Sequence, residues 1–84
     1  MDAPANSYVR IEYRPTAPSV RECPGCGKTF HSTHGLMPIV FVFTALPRSQ
    51  SGYAYTIDAF VCCSDECAAI TLSEQALLLS LSDT

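Results

Sequence analysis

The chain has 84 residues and a mass of 9.1 kDa, a length that fits one domain and excludes a two-domain enzyme or a doubly wound nucleotide-binding fold. Hydrophobic residues make up 48% and charged residues 15%, against a charged share of about 25% in ordinary soluble proteins. The formal charge is −3; one Zn²⁺ held by four thiolates would take it to about −5, which disfavours a phosphate backbone as the main partner.

A domain of this size buries only roughly 60 to 65% of the surface that its unfolded chain exposes, so an additional staple is expected. Five cysteines are available to supply it. The first residues, MDAPANS, contain neither a basic segment nor an apolar one, so they do not read as a secretory signal and a cytoplasmic location is expected. The longest apolar stretch, Leu36 to Leu46, is too short to span a bilayer, and no membrane association is expected. In a reducing compartment, cysteines in close pairs are metal ligands more often than disulfides, and an odd number fits a disulfide framework poorly.

In chain order, residues 1–6 are expected to be disordered. Over 7–14, Val9, Ile11 and Tyr13 alternate with Arg10, Glu12 and Arg14, which predicts a strand with one dry and one wet face; Pro15 and Pro18 end it. Residues 23–28, CPGCGK, read as a zinc knuckle whose two glycines permit positive φ and let backbone amides point at sulfur. The stretches MPIVFVFTAL and YAYTIDAFVC, separated by Pro47 to Gly52, predict a β-hairpin over 37–62 with a six-residue loop. Ser64 is a suitable N-cap, Asp65 and Glu66 suit the positive end of a helix dipole, and no Gly or Pro follows before Leu81; a helix over 64–81 is expected.

Cys23 and Cys26 form a C-x2-C pair, and Cys63 and Cys67 a C-x3-C pair at the start of the helix. Two such pairs place four sulfurs at tetrahedral corners about 2.3 Å from one Zn²⁺, provided that the hairpin returns the chain to the knuckle. One Zn²⁺ per chain is therefore the expected cofactor, although four thiolates also accept iron or another soft metal. Cys62 is the surplus cysteine: it falls on the same strand face as Phe60 and reads as a small buried hydrophobe, with exchange of ligand role between it and Cys63 left open. His31 and His34 have H-x2-H spacing and are possible alternative ligands, but they are expected in a polar loop, FHSTHG, and four cysteines already complete a structural site. Such a site contributes on the order of 10 kcal/mol at neutral pH, more than many small domains have in total.

The order knuckle, hairpin, helix resembles that of a treble-clef zinc finger, a small zinc-stabilised α+β fold, here with an added N-terminal strand. CPGCGK and FVCCSDECAAITL resemble two groups of that class. One is the YacG type of DNA gyrase inhibitor, with ends like CPxCGK and FCSxxCxxIDL; Cys23, Pro24, Cys26, Gly27, Lys28, Cys63, Ser64, Cys67, Ile70 and Leu72 match. The other is the TRASH, YHS and MYM group, with a CxxCG knuckle and a later FCSxxC, which implies metal sensing, metal trafficking or protein interaction. The chain departs from both: 36 residues separate the pairs, Thr71 stands in place of the inhibitor motif's Asp, and Cys62 interrupts the aromatic-Cys-Ser order.

Other chemistry finds little support. Gly25 to Thr29 ends like a phosphate-binding loop, but Glu22 stands where that loop needs its first glycine. No nucleophile is spaced beside a base, so an enzyme is not expected. The five basic residues are scattered and not interleaved with aromatic ones, so direct nucleic-acid binding is not expected. The apolar excess is more telling: both faces of the first hairpin strand are dry, and leucines surround the helix. Val40, Val42, Leu77, Leu78 and Leu81 are therefore candidates for an interaction surface, toward a second copy in a homodimer or toward another protein such as a nucleic-acid enzyme. The reading is a non-catalytic zinc-binding interaction module, with a metal-sensing or metal-trafficking module as the alternative.

Overall fold

A computed structural model of the protein describes residues 7–45 and 55–82. The expected disorder of residues 1–6 and the expected loop from Pro47 to Gly52 fall outside those residues, as do Leu46 and Tyr53. The described elements are β1 (Tyr8–Pro15), β2 (Ser19–Glu22), β3 (Thr29–Ser32), β4 (Leu36–Ala45), β5 (Tyr55–Val61) and α1 (Asp65–Ser82). They form a small α+β structure: a three-stranded sheet in the order β1-β4-β5, a two-stranded sheet β2-β3, and one helix.

All pairings are antiparallel. β4 is the central strand, with Val40 opposite Ile11 on one side and Phe60 on the other, and Val42 opposite Val9. That face meets α1, and Val40, Val42, Cys62, Cys67, Ala68 and Cys23 form the buried cluster, with Val9, Ile11, Phe30, Phe60, Leu72 and Leu79 packed around it. Val40 is 0% exposed and Val42 5%. These two valines are thus core residues and not an interaction surface, because α1 covers the face that the sequence left without a partner.

The opposite face is covered in a different way. The N-terminal strand does not lie over the sheet; it joins the sheet's edge as β1 and sends Tyr8, Arg10, Glu12 and Arg14 to the outer face. Tyr8 stacks on Phe43 at 4.6 Å, the Arg10 guanidinium lies 5.1 Å from the Phe43 ring, and that of Arg14 lies 5.2 Å from the Phe41 ring. Glu12 bridges both arginines, and the Arg14 hydrogen bond and the Arg10 charge hold its carboxyl below the usual range despite some burial. The basic and aromatic residues are therefore interleaved in space although not in sequence, and the arginine stems and planar heads roof the outer aromatic rings.

The strands β2 and β3 flank the knuckle and were not expected. Each has four residues, too few for a period-2 pattern to stand out. They place His31 in a strand, opposite Val20, and not in a loop. Buried Ser32 ties this hairpin to the preceding segment: its hydroxyl donates to Ala17 O at 2.9 Å and accepts from Arg21 Nε at 3.0 Å and from Ser19 N at 3.2 Å.

Candidate metal centre

The knuckle is a tight turn. Gly27 N donates to Cys23 O and Cys23 N to Lys28 O, both at 2.8 Å. Gly27 has φ of +78°, in the region that favours glycine. Gly25 is required for a different reason than positive φ: a Cβ there would lie 2.7 Å from both Cys67 Cβ and Cys67 O. The knuckle backbone therefore presses directly on the first turn of α1, which is what brings the two cysteine pairs together.

Ser64 caps that helix. Its hydroxyl accepts from Cys67 N at 3.2 Å, and Ala68 N donates to Ser64 O at 3.0 Å, so Cys67 is fixed in the helix's opening turn and Cys63 just before it. The ligand atoms of Cys23, Cys26, Cys63 and Cys67 all lie within 4.8 Å of one another. Cys63 Sγ is 3.7 Å from Cys67 Sγ and 3.9 Å from Cys26 Sγ, close to the separation of about 3.8 Å that a tetrahedron with 2.3 Å metal–sulfur bonds requires. The four sulfurs can hold one metal ion, and a tetrahedron of four thiolates is a geometry that zinc accepts.

The electrostatics already favour a thiolate at one corner. Burial opposes ionisation of Cys23, but backbone N–H groups of Cys63, Cys26 and Gly25 point at its sulfur and hold its pKa down to about 6. Cys63 is pushed up to about 12, first by its interaction with the Cys23 side chain, with burial and the sulfurs of Cys67 and Cys26 adding to the effect. The Ser64 hydroxyl favours the Cys67 thiolate, yet burial and the neighbouring sulfurs of Cys23 and Cys26 raise its pKa. A dication at the centre would favour the thiolate form of the ligands against these opposing effects.

The other candidate ligands lie elsewhere. Cys62 is 0% exposed and points into the core, where its sulfur lies 3.6 Å from Phe60 O and 3.7 Å from Thr71 Oγ1. Burial pushes its pKa up; the Thr71 hydrogen bond opposes this and the charges of Cys23 and Cys67 reinforce it. The alternation of the strand sends Cys62 inward and leaves Cys63 to turn toward the knuckle, which settles between the two neighbours geometrically. Thr71 is itself 1% exposed, so the two residues that depart from the gyrase-inhibitor motif touch one another. His31 and His34 are exposed and are not part of the group of ligand atoms. Leu77, Leu78 and Leu81 are exposed on α1, as is Ile70.

Comparison of the chain with known family models, with curated proteins and with solved structures finds no match. The metal centre therefore stands on its own geometry.

Proposed function

We propose that the protein is a non-catalytic zinc-binding interaction module of treble-clef type. The observation that carries this reading is the four-sulfur cluster joining the knuckle to the start of α1. Four thiolates complete a tetrahedral shell and leave no position for water or substrate, which supports a structural role over a catalytic one. The partner surface is the outer side of α1, where Ile70, Leu77, Leu78 and Leu81 lie within about a third of the helix circumference, roughly opposite the stripe of Ala68, Leu72 and Leu79 that faces the core.

The resemblance of both cysteine ends to gyrase inhibitors supports a nucleic-acid enzyme as target. A supercoiling assay with purified gyrase tests this: inhibition by the zinc-loaded protein, abolished by Leu77→Glu with metal retained, is the expected result, and no inhibition by the wild type removes gyrase as the target.

A metal-trafficking role is the second reading, favoured by the exposure of Cys26 and Cys63 on one side of the cluster. The burial of Cys62 opposes it, since no fifth thiol is at hand to pass the ion on. Exchange with a competing chelator within minutes, in the folded state, would favour trafficking; loss of metal only on unfolding supports the structural role.

A further inference from the structure

The hydrogen-bond parity of the sheet singles out one of its two edges. Cys62 N donates to Pro38 O, and Pro38 is the residue opposite Cys62 if the β4-β5 register is continued by one pair. Residues 60 and 58 therefore bond β4 as well, and the N–H and C=O groups of Ile57, Ala59 and Val61 point away from it. Among the described residues no strand pairs on that side.

The two edges differ in how they are guarded. The β1 edge carries Arg10, Glu12 and Arg14, ends in Pro15, and is packed by α1. Charge and proline are the usual means of preventing edge pairing. From Ile57 to Val61 the β5 edge has Asp58 as its one charge, and Ile57 is 57% exposed. Beside it runs a groove of about 390 Å³ lined by Val20, Arg21, Glu22 and Pro24 together with Ala59 and Val61.

We propose that β5 pairs antiparallel with β5 of a second copy of this chain, about a two-fold axis at Ala59. The segment is complementary to itself in that register. Ile57 faces Val61 of the second copy, Ala59 faces Ala59, and each of these pairs exchanges both of its backbone bonds, so every outward group from 57 to 61 is satisfied. Asp58 falls opposite Phe60 and not opposite its own copy. A two-fold axis one residue earlier would set the two Asp58 carboxylates face to face, which is destabilising. The product is a continuous six-stranded sheet in which the open β5 edge no longer exists, and it leaves the outer face of α1 accessible.

Two substitutions at Ala59 test the proposal. Ala59→Pro removes an N–H that the single chain does not use, at an edge position where proline is tolerated. Ala59→Lys sets two ammonium groups opposite one another across the axis. Light scattering after size exclusion at about 100 µM, with zinc content measured on the same samples, is expected to show a dimeric wild type and two monomeric variants that keep their metal. A monomeric wild type overturns the proposal and leaves the edge to a foreign strand. A dimer that survives Ala59→Lys but is lost with Leu77→Glu also overturns it and moves self-association to α1. The zinc content decides the metal reading separately from either result.

Discussion

Cys63 and Cys62 show how much one residue of register decides. The chain turns between them so that one sulfur joins the metal cluster and the other enters the core. Cys63→Ser is expected to lose zinc and the folded state, whereas Cys62→Ser keeps both; metal content and far-UV circular dichroism of the two variants measure this, and the reverse outcome would move the site by one position. Gly25→Ala is expected to fail as Cys63→Ser does, since a Cβ at 2.7 Å from Cys67 must push the knuckle off the helix. Acid should release the metal. Protons compete with the ion for the four thiolates, so release monitored with a chromophoric chelator is expected to grow as the pH falls. Release that did not depend on pH would contradict thiolate ligation. The four ligands were legible in the sequence because pair spacing alone limits what can meet at one ion. The reason for Gly25 was not, because a close approach between distant segments leaves no local pattern.

The helix and the long strands follow from local rules, and the short ones do not. Ser64, the acidic residues after it and the run without Gly or Pro specify α1; alternation specifies β1; and β-branched and aromatic residues specify β4 and β5. Ser64→Ala removes the hydroxyl that accepts from Cys67 N and is expected to cost about 1 kcal/mol in urea unfolding of the zinc-loaded protein. β2 and β3 depend on long-range pairing through Ser32, a residue that reads locally as one more polar position in FHSTHG. Because Ser32 is buried and serves Ala17, Ser19 and Arg21, Ser32→Ala leaves polar groups of β2 and of the segment before it without their partner; a loss of about 1 to 3 kcal/mol is expected. No change in the urea midpoint would mean that water replaces the hydroxyl.

At the scale of the whole molecule, the apolar excess divides into three parts. One face of the sheet and one stripe of α1 bury each other, the outer face is roofed by Arg10 and Arg14, and the outer side of the helix remains exposed. The sequence showed that there was too much apolar surface but not where the cover came from, because the arginines reach the rings only through the β1-β4 register. The cluster of four sulfurs, together with Phe30 packed against the core, joins these layers to the β2-β3 hairpin, so a metal held by the four sulfurs is the central claim. X-ray absorption at the zinc edge of the purified protein tests this most directly. Four sulfur neighbours at about 2.3 Å, with no nitrogen or oxygen in the shell, is the predicted result; a mixed shell, or protein that carries no zinc, would contradict it.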